Sequence, residues 1–299
     1  MKKGIAIFIL VTALFVLGNT VAFAERQVEV VFRGGEALEG PSIDREGTLY
    51  VTNWGSGWIS KIHPDGTREN VVNTGGSPRG TKFHKDGRLF IADRDKGVLF
   101  WDPRTGKLET LFTGYEGKKF LGVNDLIFDS QGNFYFTDPW TTGAHNPTGA
   151  VYKATAHGEL VQLINNMAFP NGIALSPDES MLCIAEMAAN RIWYCTFDKK
   201  GKPEWVGILC NLSGGIGPDG MAVDAKGNLY VAREGCGGVQ VISPMGDLLE
   251  LIKVPEGIWT SNCCFGGPDN LDLYITEESV NTVYKVRMDH PGLTLFSHR

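Results

Sequence analysis

Six residues of this 299-residue chain, Glu39, Arg79, Asn124, Asn171, Asp219 and Asn262, recur at matching places in a repeated, otherwise apolar pattern. Glu39, Arg79, Asn124 and Asp219 each stand ten residues before the head of a short apolar run, at Leu49, Leu89, Phe134 and Leu229. Asn171 and Asn262 stand eleven before Leu182 and Leu273, where the intervening turn is one residue longer. Together they supply two carboxylates, three amides and one guanidinium, with neither His nor Cys. Gathered in one place, such oxygen donors suit Ca2+ or Mg2+ better than zinc or copper. Two carboxylates neutralise a divalent ion and leave amide oxygens and water to complete its shell, the open coordination that a catalytic metal uses. The competing arrangement is a ring of side chains that bond one another and a column of trapped water.

The elements that would carry these residues are written as a repeat. A turn, a Gly or Asp, and a short apolar strand appear as Asp44-Arg-Glu-Gly-Thr-Leu-Tyr-Val-Thr52, His84-Lys-Asp-Gly-Arg-Leu-Phe-Ile-Ala92, Asp129-Ser-Gln-Gly-Asn-Phe-Tyr-Phe-Thr137 and Asp224-Ala-Lys-Gly-Asn-Leu-Tyr-Val-Ala232. Two longer variants occupy residues 176–185 and 267–276. The heads of the six strands are 40, 45, 48, 47 and 44 residues apart. Third strands are expected at Trp58–Ile62, Gly97–Trp101, Ala150–Lys153, Arg191–Thr196, Gly238–Ile242 and Thr282–Val286, and fourth strands at Glu69–Val72, Leu108–Phe112 and Leu160–Ile164. Turns such as Pro64-Asp-Gly66 and Pro103-Arg-Thr-Gly106 join them. Four short strands in about 45 residues is the spacing of a β-propeller blade. No long 3.6-period apolar pattern follows residue 24, which disfavours helical repeats. The expected fold is therefore all-β: a six-bladed β-propeller of four-stranded blades, occupying residues 25–299 as one domain.

The sixth repeat shows no fourth strand before Pro291. Gln27–Phe32 resembles the fourth strands elsewhere, so the N-terminal strand is expected to complete the last blade and close the ring. Leu293–Phe296 is the rival for that place. In a propeller the first strand of each blade lines the central channel, which puts the six polar residues in one ring at its mouth. Elsewhere these strands are apolar, as in Gly172-Ile-Ala-Leu175. Buried polar groups need partners, so the ring is the principal functional signal.

Lys2 and Lys3, the apolar stretch Ile5 to Val16 and Ala22-Phe23-Ala24 read as an export signal over residues 1–24. The mature protein is then periplasmic or secreted, with no stable membrane anchor after cleavage. Losing Lys2 and Lys3 takes the formal charge from −6 to −8. An acidic chain without a basic run is a poor partner for nucleic acid. The six cysteines fit no zinc pattern. Cys183 and Cys195 would face each other if residues 181–197 form a hairpin centred on Ala189; the alternative is free thiols buried in strands.

At Glu39, Val123-Asn-Asp125, Phe169-Pro-Asn-Gly-Ile173 and Pro218-Asp-Gly-Met221 the chain resembles the senescence-marker-protein/gluconolactonase family, which includes luciferin-regenerating enzyme and drug-responsive lactonases. The resemblance runs from Glu25 to about Met288. It implies a six-bladed propeller that holds a divalent ion, often calcium, with zinc, manganese and magnesium as alternatives. Glu39, Asn171 and Asp219 would be the ligands, Asn124 would contact water or substrate, and Asp219 would be the base. Members hydrolyse lactones or other esters, so a small-molecule lactone or ester is the implied partner. No Gly-x-Ser-x-Gly elbow is present, and none is required by metal-assisted chemistry.

One departure bears on substrate. Sugar-lactone members often carry Arg two residues before the equivalent of Asn124, and here that residue is Gly122. Arg79 stands on the neighbouring blade. It could salt-bridge Glu39 or Asp125, or face the mouth and hold a ligand carbonyl or carboxylate. Trp54, Trp140, His145 and Trp259 fall in loops that could border the mouth, where aromatics would favour a more hydrophobic lactone. Two other functions compete. Strictosidine-synthase-like propellers share Pro170-Asn-Gly172 and Leu175-Ser-Pro-Asp178, and a non-catalytic ligand-binding propeller would also keep the blades.

Overall fold

The recurring Asp-x-x-Gly phrase is a turn whose own side chain holds it together. The Asp44 carboxylate accepts the backbone N–H groups of Glu46 (3.1 Å) and Thr48 (2.7 Å). Asp129 does the same for Gln131 and Asn133, and Asp224 for Lys226 and Asn228. The glycine of each turn, Gly47, Gly132 or Gly227, has a φ between 83° and 86°, which an L side chain resists. These turns join first strands to second strands in a computed structural model that describes residues 26–299. The export signal read at residues 1–24 lies outside the described residues.

Six antiparallel four-stranded sheets form the six blades. Their first strands are Leu38–Ile43, Pro78–Phe83, Leu126–Phe128, Pro170–Leu175, Gly217–Val223 and Thr260–Gly266. The second strands are Leu49–Asn53, Leu89–Asp93, Phe134–Asp138, Met181–Glu186, Leu229–Glu234 and Asp272–Glu277. All six third strands and the three named fourth strands form where expected, most of them a residue or more longer. In blade 6 the fourth strand is Val28–Arg33, paired antiparallel with Thr282–Arg287, so the N-terminal strand closes the ring. Arg26 strengthens the closure by pairing with Glu250 of blade 5 and, at 2.8 Å, with Asp289.

Burial follows the blade interfaces. Six apolar clusters form, one between each pair of adjacent blades. The cluster between blades 2 and 3 is aromatic, with Phe90 edge-on to Phe128 at 4.9 Å and to Phe134 at 5.5 Å. Such pairs add to simple area burial. The rival segment Leu293–Phe296 forms no strand. It crosses the channel end opposite the polar ring, with Leu293 donating to the Val223 carbonyl at 2.8 Å and Phe296 packed on Phe128. It helps to line a cavity of about 570 Å3 there.

The hairpin of Met181–Glu186 and Arg191–Phe197 forms, but its register pairs Leu182 with Cys195 and Cys183 with Tyr194. Cys183 therefore packs between blades 4 and 5, and Cys195 between blades 3 and 4. A one-residue offset puts the two thiols on opposite faces of the sheet. All six cysteines are free.

Of its apolar side chains, the closing strand buries Phe32 deeply and leaves Val30 exposed. Urea unfolding of Phe32→Ala is expected to show a loss of about 3–5 kcal/mol. Val30→Ala should stay within about 0.5 kcal/mol of the parent. Equal effects of the two substitutions would mean that the strand does not carry the ring closure.

Candidate functional site at the channel mouth

Each first strand breaks register with its neighbour at the ring residue. The ladder shifts between Glu39 and Ser42, Pro78 and Thr81, Pro170 and Ile173, Pro218 and Met221, and Thr260 and Asn262. In blade 3 the regular strand begins only at Leu126, after Asn124 N–H has donated to the Thr137 carbonyl at 3.0 Å. Such bulges re-aim a side chain out of the strict alternation. All six ring residues occupy these positions, and all six are buried.

Four of them are followed by glycine for a steric reason. A Cβ on Gly40, Gly80, Gly172 or Gly220 would collide with Arg79, Asp125, Asp219 or Asn262 of the next first strand. Glycine thus lets the inner strands approach closely enough to bond laterally. Gly80 N–H donates to the Asn124 carbonyl at 2.7 Å, Thr137 Oγ1 to the Asn171 carbonyl at 2.7 Å, and Thr81 Oγ1 to the Gly40 carbonyl at 2.7 Å.

The ring places two carboxyls in one buried environment that disfavours the charge on both. Burial pushes the Glu39 carboxyl up to about 8, helped by the negative charges of Asp125 and Glu278 and opposed by Arg79. Asp219 is raised well above the usual carboxylate range, by burial first and by Glu39 second. Asn262 Nδ2 donates to both Glu39 oxygens, at 3.2 and 3.4 Å. The buried Oδ1 atoms of Asn124 and Asn171 have no hydrogen-bond partner. Asn171 spends its Nδ2 on the Met187 sulfur at 3.5 Å, which leaves its oxygen free. Two carboxylates and two partnerless amide oxygens form a hard, electron-rich donor set that fits a cation. Among the described residues no three His, Cys, Asp or Glu side chains gather into a metal cluster; this set depends on amides for its remaining donors.

Arg79 bridges to neither Glu39 nor Asp125. Asp125 faces Lys82 instead, with 3.9 Å between Nζ and Oδ1. The Arg79 guanidinium lies 3.9 Å over the Trp54 ring and 4.9 Å from that of Trp140, and Arg94 covers Trp140 at 5.2 Å. This cation–π stack forms one wall of the mouth. It also accounts for Gly122, where a Cβ would meet Trp140 Cβ at 2.8 Å and Arg94 Cγ at 2.9 Å. Trp259 stays partly exposed on its loop, and His145 is exposed.

Sequence reasoning missed two groups here. Glu278 accepts from Trp54 Nε1 at 3.0 Å, lies 4.0 Å from Arg79, and is raised by burial to about 7. The second is another polar ring: Asn53, Asp93, Asp138, Glu186, Arg233 and Glu277, each four residues after the head of a second strand and each buried. Its members pin the mouth loops. Asp93 accepts N–H bonds from Ser77, Asp95 and Lys96, Asp138 from Leu121 and Gly122, and Glu277 from Trp259 and Val280. The same counting that finds the first ring finds the second.

Comparison with known proteins bears on the chain as a whole. A family profile described as the SMP-30/Gluconolactonase/LRE-like region matches residues 38–279. A lactonase, drp35, of Staphylococcus aureus strain MRSA252 is 35% identical over 249 residues, covering 78% of this chain and 74% of that protein. A gluconolactonase of Zymomonas mobilis is 34% identical over 206 residues, 62% of this chain and 57% of its own. Among solved structures, a Xanthomonas campestris gluconolactonase superposes with a TM-score of 0.78 at 23% identity, covering 89% of this chain and 90% of the other. A calcium-binding protein, regucalcin, of Agrobacterium tumefaciens superposes with a TM-score of 0.77 at 22% identity, covering 93% and 98%.

In the cation-free chain the raised Glu39 pKa has a direct consequence. Its folded value of about 8 exceeds its ordinary 4.5, so the folded state holds a proton that the unfolded chain has lost. This contribution to stability is full below about pH 4.5 and is lost as pH rises through about 8. Thermal unfolding in chelator should therefore show a midpoint that falls between pH 5 and pH 8, by about 2–4 °C per kcal/mol lost. Glu39→Gln should make that fall shallower; an unchanged slope would contradict the assignment.

Proposed function

We propose, from the premise that the chain belongs to the SMP-30/gluconolactonase/LRE-like family, that it is a lactonase whose mouth ring opens a cyclic ester to a hydroxy acid. The supporting observation is the pairing of two buried carboxylates, Glu39 and Asp219, with the partnerless amide oxygens of Asn124 and Asn171. Glu39, Asn171 and Asp219 would hold a divalent ion, calcium ahead of zinc, manganese or magnesium. That ion would supply polarisation of the lactone carbonyl and acidification of a bound water.

The remaining work falls to the chain itself. Asp219 takes the proton of the attacking water as general base. Asn124 Oδ1, with no protein donor to satisfy, orients that water or a substrate hydroxyl. Asn262 keeps Glu39 in place through its two N–H contacts. The resulting hydroxide adds to the carbonyl carbon, the ring C–O bond breaks, and Asp219 returns its proton to the leaving alkoxide oxygen. The new acid then ionises, so the product is an anion. The wall of Trp54, Arg79 and Trp140 presents flat, apolar and cationic surface to the substrate. With no room for a side chain at Gly122, it suits a partly apolar lactone better than a polyhydroxylated aldonolactone.

A lactone panel read before and after chelation tests this. Hydrolysis should vanish with the metal and return with calcium. Asp219→Ala should lower kcat by about 10^2–10^4. Failure of every lactone and aryl ester with calcium, zinc, manganese and magnesium would overturn the proposal. Undiminished biological activity in Asp219→Ala would point to a binding propeller instead.

A further inference from the structure

Arg79 is an unusual group to find beside a reaction that generates an anion. Its guanidinium is buried and clamped between Trp54 and Trp140, and its Nε has no hydrogen-bond partner. A guanidinium fork presented at a site mouth is the preferred protein receptor for a carboxylate. Left uncompensated, it would hold the hydroxy acid formed next to it.

Glu278 supplies the compensation in a particular way. Its Oε1 accepts the Trp54 indole N–H at 3.0 Å, which fixes the carboxylate on the same aromatic wall. From there it stands 4.0 Å from Arg79 Nη1, beyond the 2.7–2.9 Å typical of a charge-assisted hydrogen bond. Glu278 therefore offsets the charge of Arg79 without occupying its donors. Arg94, the other guanidinium of the stack, is neutralised by Asp95 at 2.8 Å. Both cations of the aromatic wall therefore face a counter-charge of their own.

We propose that Arg79 is a latent carboxylate-binding subsite kept closed by Glu278, so that the mouth favours uncharged lactones and releases its hydroxy-acid product quickly. Glu278 acts as a positioning and specificity-determining residue through Arg79 and takes no part in bond breaking. The consequence for turnover rests on the lactonase reading; the subsite itself does not.

The test uses the calcium-loaded protein at pH 8 and two probes, 4-hydroxybutyrate and its uncharged analogue butane-1,4-diol. Glu278→Gln keeps an oxygen for the Trp54 indole and removes the charge. By calorimetry it should bind 4-hydroxybutyrate about 10- to 100-fold more tightly than the parent, with butane-1,4-diol unchanged, as expected for removing a like charge a few ångströms away. Adding Arg79→Met should abolish the gain. Glu278→Leu serves as a second charge-removing variant should Glu278→Gln fold poorly. On any lactone the protein turns over, Glu278→Gln should show product inhibition stronger by the same factor while KM for an uncharged lactone holds. Unchanged 4-hydroxybutyrate affinity in the charge-removing variants, or a gain that survives Arg79→Met, would overturn the proposal. If no lactone is turned over but the affinity gain appears and depends on Arg79, the lactonase reading fails and the subsite stands.

Discussion

Two carboxylates, Glu39 and Asp219, are held out of water within each other's field at the axis of the molecule. Burying one such charge unpaired costs several kcal/mol, and a like-charged neighbour adds to that cost. A flexible site would relieve the strain by letting one of them swing to solvent. This one resists because each carboxylate sits on a bulge of an inner strand, between neighbours that approach as closely as glycine permits. Asn262 holds Glu39 from one side, and the positive charge of Arg79 acts on both. What is left over, two amide oxygens with nothing to accept, is what a bound cation would use.

The rest of the propeller keeps that arrangement rigid. Six apolar interfaces lock the blades, and the N-terminal strand, paired with Thr282–Arg287 in blade 6, ties the start of the described chain to its last blade. Above the ring, the buried side chains at the ends of the second strands pin the mouth loops by their backbone N–H groups. One of them carries Gly122, which lies against Trp140. At the other end, the C-terminal segment crosses the channel, tied by Arg45 to the Ser297 carbonyl at 2.7 Å. Loops, ring and tail thus give one channel a polar end and a mostly apolar one.

The repeat was legible because strand alternation and Asp-x-x-Gly turns leave a period that six blades share. The closing strand followed from a missing partner: blade 6 needed a fourth strand, and Val28–Arg33 had the right pattern. The ring was visible because polar residues broke an apolar strand at a constant offset from Leu49, Leu89 and their equivalents. The facing of Cys183 and Cys195 could not be read, because Met187–Ala189 form a short 3-10 turn and Asn190 takes a left-handed conformation, which together set the register. Glu278 was hidden for another reason. It lies one residue beyond a second strand, in a loop whose path no pattern reports, and only the fold carries it to Trp54 and Arg79. Arg79 itself stood in the predicted ring, but its stacking partners come from two different blades.

The chain belongs to the SMP-30/gluconolactonase/LRE-like family, and its oxygen-rich ring lies at the polar end of the channel, where the proposed cation would bind. Long-wavelength anomalous diffraction from crystals grown with calcium tests that placement directly. A single peak is expected about 2.3–2.6 Å from the carboxylate oxygens of Glu39 and Asp219 and from Asn171 Oδ1. Calcium bound elsewhere, or a ring in which Asn124 and Asn171 bond only to water, would contradict it.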